Sequence, residues 1–331
     1  MSRKAAFVYS DALAGHVLRE DHPMKPVRLR YTYELLSAYG AFKGDTSTLA
    51  APRMATDAEL LTFHTPEYVD AVKRISRGDL SADPARFNLS IGGDNPFYQG
   101  MYEANALAAG SALVAAELVL SGKASTAFAP AGGLHHAMAS YASGFCVFND
   151  PVLVIKLMLS KGMRVAYIDI DAHHGDGVER AFYEDNRVLT ISLHESGLYL
   201  FPGTGFPQDS GEGAGRGYAV DVPLAPYTGD EDYLWAFRQV APPLLGAFRP
   251  DAIVTQLGVD CYYSDPLTHL RLTTNGFCAA VEEFARLGLP WVALGGGGYD
   301  VTAVPRLWAL AYGIMAGIEL PDEIPAPFRD R

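Results

Sequence analysis

Asp169-Ile170-Asp171-Ala172-His173-His174-Gly175-Asp176-Gly177 closes an apolar run of strand length, Arg164–Ile170, with a cluster of carboxylates, histidines and glycines. The run does not alternate cleanly between apolar and polar residues, which is typical of a strand buried on both faces of a parallel sheet. Asp171 and His173 are two residues apart, so their side chains point the same way at an extended strand end. The segment therefore predicts a buried strand that delivers a carboxylate and an imidazole together at its carboxyl end.

Other parts of the chain repeat this pattern of buried strands separated by helices, which indicates one α/β domain with right-handed crossovers over residues 1–331. The other predicted strands are Ala5–Tyr9, Thr126–Ala129, Val188–Leu193, Ala252–Leu257 and Trp291–Leu294, and Tyr218–Pro223 is strand-like. The predicted helices are Arg28–Tyr39, Pro66–Ser76, Phe97–Ser121, Asp150–Lys161, Asp230–Ala247, Thr274–Leu287 and Val304–Met315.

Polar residues follow four more of the predicted strands. These strand ends carry His135-His136, the pair Ser192 and His194, Asp260 and, after four glycines, Tyr299. In open α/β sheets, ligands bind in the crevice outside the carboxyl ends of the strands. Five polar strand ends together therefore predict a functional site at that edge of the sheet.

Composition narrows the class of protein further. The chain has 331 residues, of which 49% are hydrophobic, and 26 Lys and Arg against 38 Asp and Glu give a net charge of -12. That charge disfavours a general nucleic-acid or anionic-membrane surface. The three cysteines form no C-x-x-C motif, and the first residues lack the apolar core of a signal peptide. The apolar stretch Ala106–Leu120 is too short to span a bilayer, so we expect a buried helix and a cytoplasmic protein.

Asp171, His173 and Asp260 are candidate metal ligands. Three protein ligands with an open position for water are typical of a catalytic zinc site. An isolated Asp-x-His pair is more often a simple hydrogen-bonded pair, and that alternative stays open. Gly175 and Gly177 favour the metal site, because they let the backbone turn closely around it.

The consecutive histidines His135 and His136 are candidates for proton transfer. Asp169 and Asp176 could each orient one of them, since a carboxylate fixes the tautomer of an imidazole and raises its basicity. A surface pair of histidines is the alternative. Tyr299 could donate a hydrogen bond to a developing oxyanion, whereas the glycines before it could form only a flexible turn. They do not form a phosphate loop, because no Lys-Ser/Thr follows.

Taken together, these motifs resemble those of the zinc-dependent histone deacetylase superfamily. The resemblance is carried by Gly-Gly-Leu-His135-His136-Ala, Asp169-Ile-Asp171-Ala-His173-His174-Gly-Asp176-Gly, Gly258-Val-Asp260 and Gly-Gly-Gly-Gly298-Tyr299. The start His22-Pro23-Met24-Lys25-Pro26 is similar to that of class I enzymes and of bacterial deacetylases of the acetoin-utilisation type. The resemblance implies the arginase-deacetylase fold, in which helices flank both faces of a central, mostly parallel, eight-stranded sheet.

The resemblance also implies a role for each site residue. Asp171, His173 and Asp260 would hold one Zn²⁺, with Fe²⁺ also possible for such a site. His136, oriented by Asp176, would be the principal general base and acid. His135, paired with Asp169, would act mainly through its charge, and Tyr299 would polarise the scissile carbonyl. The residues implied in substrate binding are Arg28, Asp94, Gly144, Phe145, Phe201 and Leu267.

Two monovalent cation sites, for K⁺ or Na⁺, follow from the same resemblance. The inner site maps to Asp169, Asp171, His173, Ser192 and Leu193. The outer site maps to Phe182, Val188, Tyr218 and Asp185, and a relative has Thr in place of Asp185.

The predicted function is removal of an acetyl or related acyl group from lysine side chains of a protein or peptide. Small acetylated amines, polyamines included, are the alternative substrates, and Leu267 weakens that alternative because polyamine-selective members have an acidic residue there. A non-catalytic module that binds acyl-lysine is a third reading. Gly175 and Gly258 stand where binuclear arginase-type enzymes need further carboxylates, which favours a single metal. We expect no direct nucleic-acid or membrane partner, and either a monomer or a homo-oligomer.

Overall fold

Eight parallel strands form one sheet in the computed structural model, which describes residues 4–329. The strands are β1 (Ala5–Val8), β2 (Ser47–Ala50), β3 (Thr126–Ala129), β4 (Val165–Asp169), β5 (Val188–Glu195), β6 (Ala219–Leu224), β7 (Ala252–Gln256) and β8 (Trp291–Leu294). Their order in the sheet is β2-β1-β3-β8-β7-β4-β5-β6, and each neighbouring pair is parallel. The prediction of a central, mostly parallel, eight-stranded sheet is confirmed.

Helices cover both faces of this sheet, as predicted. The α-helices are α1 (Val27–Ala38), α2 (Asp57–Leu60), α3 (Pro66–Ser76), α4 (Met101–Leu120), α5 (Asp150–Leu159), α6 (Asp176–Phe182), α7 (Asp230–Phe248), α8 (Thr274–Arg286), α9 (Ala303–Ala316) and α10 (Ala326–Arg329). Helices α1, α7, α8 and α9 share one apolar core with the sheet, and α4, α5 and α6 share another. Because both faces are covered, the central strands are buried along their whole length and are mostly apolar.

Five elements differ from the predictions, and two of them are the four-residue helices α2 and α10, which were not predicted. Strand β2 was not predicted, since it is short, lies at the sheet edge and exposes part of its residues. Helix α4 starts at Met101 and not at Phe97, because Gly100 has a left-handed backbone with φ 82° that interrupts the helix. Helix α6 was also not predicted, because the glycines around Asp176 favoured a turn in the sequence.

Helix α4 is the one helix of the described residues that is long and apolar enough to cross a membrane by length and composition. It packs into the protein, however, and 56% of its most apolar window is buried. Gly110 passes so close to the backbone of Arg53 and Ala55 that a Cβ atom would overlap it. The sequence prediction of a buried helix at Ala106–Leu120 is confirmed.

Strands β3, β8, β7 and β4 are neighbours at the centre of the sheet. Parallel strands end at the same edge, so the four loops that follow them converge there. These loops carry the histidine pair, Tyr299, Asp260 and the segment from Asp171 to Asp176. The strand order thus assembles one site from four distant parts of the chain.

Candidate active site

The three predicted metal ligands meet in one buried cluster. Nδ1 of His173 lies 3.1 Å from Oδ1 of Asp171 and 2.9 Å from Oδ2 of Asp260. Two ligand atoms that are each about 2.1 Å from one ion lie about 3.0 Å apart at a right angle and about 3.4 Å apart at the tetrahedral angle. The spacing and chemistry of the donor atoms therefore fit a single divalent cation.

Backbone and side-chain donors hold the two carboxylates of this cluster in place. Oδ2 of Asp171 accepts hydrogen bonds from Nε2 of Gln256 at 2.6 Å and from the backbone N–H of Gly297 at 2.8 Å. Oδ1 of Asp260 accepts one from the backbone N–H of Ala172 at 2.8 Å. Each carboxylate thus keeps its other oxygen directed at His173, which is the outer-shell support that metal ligands need.

The electrostatics of the cluster favour a bound positive charge. Burial opposes a charged imidazole, but the hydrogen bonds to Asp171 and Asp260 prevail and raise the pKa of His173 to about 10. Two buried carboxylates therefore exert a strong negative potential at Nδ1 of His173. A divalent cation bound there would displace the proton and neutralise that potential.

Glycines give the cluster its space. A Cβ atom on Gly258 would overlap the carboxylate of Asp171, and one on Gly297 would overlap that of Asp260. Gly258 is also the position where a binuclear site would need a further carboxylate. The described residues therefore bring three metal-ligating side chains together at this point, as a group of one histidine and two aspartates.

Each histidine of the predicted pair contacts its expected carboxylate. Nδ1 of His135 lies 2.7 Å from Oδ2 of Asp169, and Nδ1 of His136 lies 2.7 Å from Oδ1 of Asp176. The two Nε2 atoms are 3.0 Å apart. All four side chains are buried or nearly so, with exposed side-chain fractions of 13% or less.

The two imidazoles differ in charge. Burial disfavours the charged form of both, but the negative charge of Asp169 raises the pKa of His135 to about 9. Burial and the neighbouring charge of His135 lower the pKa of His136 to about 4. A protonated His135 donates from Nδ1 to Asp169. Neutral His136 donates from Nδ1 to Asp176 and keeps Nε2 free of a proton at neutral pH.

Aromatic residues surround the cluster on its open side. The ring of Phe201 lies 5.0 Å from that of His136, and Phe145 lies 5.8 Å from Tyr299. Tyr299 lies 6.5 Å from the ring of His173, and its backbone N–H donates to Asp265. A Cβ atom on Gly144, where φ is 50°, would overlap His136, so only glycine lets this wall pass so closely. Of the substrate-binding residues predicted from the sequence, Gly144 and Phe201 thus lie beside His136, and Phe145 packs against Tyr299.

The remaining predicted substrate residues lie at different depths. Leu267 is 37% exposed beside Asp265, and Asp94 is exposed at the rim, where its backbone carbonyl lies 3.2 Å from Nε2 of His22. Arg28 is buried instead. Its guanidinium donates to the carbonyl of Gly298 at 2.8 Å and lines a small cavity of about 60 Å³.

The residues of the predicted inner cation site lie in β4, β5 and the loop beside the metal cluster. Those of the outer site lie at the end of α6, at the start of β5 and just before β6. Asp169 and Ser192 are paired in register between β4 and β5, and Oγ of Ser192 lies 2.8 Å from Nδ1 of His194. In the outer set, Asp185 turns its carboxylate to Arg187 at 2.5 Å. Both sites stay predictions, and the others of their residues are Asp171, His173, Leu193, Phe182, Val188 and Tyr218.

Sequence reasoning missed several buried polar residues that hold the histidine loop. The carboxylate of Asp150 accepts the backbone N–H groups of Gly133 and Leu134, at 2.8 and 3.0 Å. The amide of Asn149 donates to the carbonyls of His135 and Ala137. The only signal available was Asn149-Asp150 at the start of a predicted helix, which also fits an ordinary helix cap.

His64 supports the same loop and gives a prediction about acid stability. Its Nδ1 donates to the carbonyl of Met138, and its Nε2 accepts from the backbone N–H of Asn149. Burial lowers its pKa to about 4, below the ordinary value of 6.5. A lowered histidine pKa stabilises the folded state above pH 6.5, and that stability is lost as the pH falls towards 4.

We expect wild-type protein to lose about 3 kcal/mol more unfolding free energy than His64→Gln between pH 6.5 and 4. Glutamine can make both hydrogen bonds but does not titrate. Urea unfolding across this pH range measures the difference, with His269→Gln as the control at an exposed histidine. Equal pH slopes for wild type and His64→Gln would show that His64 is not held neutral.

The fold and the site together define a class of protein. An eight-stranded parallel sheet with a three-ligand cluster and two carboxylate-paired histidines at its carboxyl edge is the arrangement of the arginase-deacetylase fold.

Comparisons with known proteins identify the family within that class. The family model for the histone deacetylase domain matches residues 22–315. The chain is 42% identical to acetoin utilization protein AcuC of Bacillus subtilis, over 98% of this chain and 85% of that protein. It also superposes on a crystal structure of an HDAC homolog from Aquifex aeolicus with a TM-score of 0.91, at 34% identity over 97% of this chain and 86% of that chain. An HDAC homolog complexed with SAHA has a TM-score of 0.90 at 33% identity, over 98% of this chain and 86% of that chain.

This chain belongs to the histone deacetylase family, and it is an enzyme of the deacetylase class. Members of the family are zinc-dependent in general, and they act on acetylated substrates. The resemblance inferred from the motifs is confirmed.

Proposed function

We propose that this protein is a zinc-dependent amidohydrolase that removes acetyl or related acyl groups from lysine side chains. The observation that carries the proposal is the convergence of Asp171, His173 and Asp260 beside the two carboxylate-paired histidines. One imidazole and two carboxylates are a donor set that zinc accepts in catalytic sites. The proposal assigns catalysis to a single domain, residues 1–331.

In the proposed mechanism, the residues of this chain position the reactants and move one proton. Asp171, His173 and Asp260 would hold a zinc ion, which would supply Lewis-acid chemistry and lower the pKa of a water molecule. Nε2 of His136 takes a proton as that water attacks the amide carbonyl, while Asp176 holds the ring through Nδ1. Positively charged His135 and the Tyr299 hydroxyl stabilise the developing oxyanion. His136 then returns the proton to the departing amine.

The shape of the site supports a long acylated side chain as the substrate. Phe145 and Phe201 stand close to the catalytic side chains, and such aromatic walls suit an aliphatic chain that reaches inward. Leu267 borders the site with an apolar side chain where a polyamine-selective enzyme would present a carboxylate. Exposed Asp94 is proposed to hold the substrate backbone at the rim.

The proposal also includes a structural K⁺ or Na⁺ at the inner cation site and activity in the cytoplasm. Asp169 would join the inner cation site to the catalytic histidine pair, because its Oδ2 contacts His135 while its Oδ1 accepts the backbone N–H of Asp171. A cation bound at the inner site would therefore affect the charge of His135 through the carboxylate of Asp169.

We expect the zinc-loaded enzyme to hydrolyse an acetyl-lysine peptide with a kcat/KM at least tenfold above that for acetylspermidine. An apolar residue at position 267 gives the cationic polyamine no carboxylate to bind, whereas it leaves the peptide unaffected. Steady-state kinetics on both substrates, each with and without a hydroxamate inhibitor, measure this preference.

A Leu267→Glu variant is the matched test of specificity. It is expected to raise the relative kcat/KM for acetylspermidine. Preference of the wild type for acetylspermidine would replace the substrate but keep the amidohydrolase mechanism. Hydroxamate-insensitive activity, or no activity on either substrate, would contradict the proposed function and favour a binding module.

A further inference from the structure

A second group of one histidine and two carboxylates lies outside the proposed catalytic cluster. It consists of His174, which follows β4, Glu179 in α6 and Asp221 in β6. Nε2 of His174 is 3.3 Å from Oε2 of Glu179 and 3.2 Å from Oδ1 of Asp221. Its members are shared neither with the proposed zinc site nor with the two predicted monovalent cation sites. We call this group the rear cluster.

The carboxylate of Asp221 lacks a hydrogen-bond donor although it is deeply buried. Its side chain is only 1% exposed, and neither oxygen has a hydrogen-bond partner among the described residues. A buried carboxylate without a partner is costly, because it has lost its hydration without compensation. A single N–H at Nε2 of His174 could serve Glu179 or Asp221, but not both. The N–H of His174 therefore satisfies only one carboxylate, and the other needs a further proton or a cation.

The other nitrogen of His174 is oriented as in a metal-ligating histidine. Nδ1 lies 2.9 Å from Oγ1 of Thr204, which can accept its hydrogen. A metal-bound histidine almost always donates its second ring N–H to an oxygen in this way, which fixes the tautomer. With the hydrogen on Nδ1, the lone pair of Nε2 points at the space shared with Glu179 and Asp221.

The distances within the rear cluster fit coordination of one ion. Separations of 3.2 and 3.3 Å lie between the values of about 3.0 and 3.4 Å expected for ligands at right and tetrahedral angles around one ion. Two carboxylates would neutralise a divalent cation, and a mixed nitrogen and oxygen donor set suits Zn²⁺ or Mn²⁺ more than K⁺ or Na⁺. Gly205 leaves space for the His174 ring, because a Cβ atom at this position would overlap His174 and His194.

We propose that His174, Glu179 and Asp221 form a second, structural site for a divalent transition-metal ion. The ion would tie the loop after β4 to α6 and β6, and so brace the segment that carries the neighbouring ligand His173. The inference is independent of the proposed substrate and mechanism, because it concerns metal content alone.

The test is a count of bound metal. Metal-free protein in a potassium buffer is incubated with Zn²⁺, or separately with Mn²⁺, then desalted and analysed by mass spectrometry of the metal. We expect two equivalents per chain for wild type with at least one of the two metals. With that metal, Asp221→Asn and Glu179→Gln should each bind one equivalent, and Glu184→Gln, which removes an exposed carboxylate after α6, should still bind two.

An Asp260→Asn variant distinguishes the two sites. It is expected to lose the ion of the proposed catalytic cluster and to retain one equivalent in the rear cluster. The double variant Asp221→Asn/Asp260→Asn should bind none. If Asp221→Asn and Glu179→Gln fail to fold, the count for Asp260→Asn decides, because one retained equivalent supports the rear site and none overturns it.

Stability gives a second readout. Binding to the folded state raises the unfolding temperature with metal concentration, so Asp260→Asn should still be stabilised by added metal and the double variant should not. One equivalent in wild type with both metals, or two equivalents in folded Asp221→Asn and Glu179→Gln, would overturn the proposal. One equivalent in wild type would mean that the rear cluster binds protons and no metal ion.

Discussion

Replacing His136 with alanine is expected to lower kcat/KM for an acetyl-lysine peptide by about 10²–10⁴-fold, the usual contribution of a general acid–base residue. Burial and the charge of His135 lower the pKa of His136 to about 4, so its Nε2 is free of a proton at neutral pH. The substitution removes this nitrogen but leaves Asp171, His173 and Asp260 in place. Steady-state kinetics on the zinc-loaded variant measure the loss.

Metal content and the unfolding temperature separate a catalytic loss from a structural one. Both should stay close to the wild-type values in His136→Ala, because the carboxylate of Asp176 also accepts the backbone N–H of Gly177 and is not left without a donor. His269→Gln is the control for loss of an imidazole, since this side chain is 49% exposed and lies outside the cluster, and the glutamine amide can still donate to its partner Glu195. A His136→Ala enzyme with nearly normal turnover would refute the assigned role.

Replacing Tyr299 with phenylalanine removes the phenolic hydroxyl group. We expect this change to lower kcat by about 10²–10³-fold, as loss of an oxyanion donor does in other hydrolases. The phenol is held beside the metal cluster by packing against Phe145 and by the hydrogen bond from its backbone to Asp265. Because burial raises its pKa well above the ordinary value of 10, the hydroxyl keeps its proton and can donate it in a hydrogen bond. Phenylalanine preserves the ring contacts and removes only that donor.

The pattern of the kinetic loss tests the role of Tyr299 further. A donor that acts mainly in the transition state lowers kcat and kcat/KM together and leaves KM nearly unchanged. Tyr263→Phe is the matched control, because Tyr263 is a 49% exposed tyrosine near the rim. A loss confined to KM would mean that Tyr299 binds the substrate but does not stabilise the oxyanion.

Much of the fold could be predicted because the pattern of apolar and polar residues along a segment shows how that segment is buried. Continuous apolar runs such as Trp291–Leu294 identified the strands that helices cover on both faces, and polar residues at their ends identified the edge that carries the site. Patterns failed where burial is partial or where glycine is ambiguous. Strand β2 lies at the edge and α6 begins next to glycines, so neither has the signal of a buried strand or an amphipathic helix.

The sequence by itself determined which chemistry is available: the spacing of Asp171 and His173, the consecutive histidines and the tyrosine after a glycine run. Only the tertiary structure decided which side chains support that chemistry. His64, Asn149 and Asp150 resemble ordinary core or capping residues until the fold brings them to the histidine loop. The same holds for the rear cluster, whose members come from a loop, a helix and an edge strand. The physical reason is that periodicity encodes how each segment is buried, whereas contacts between distant segments depend on the order of strands in the sheet.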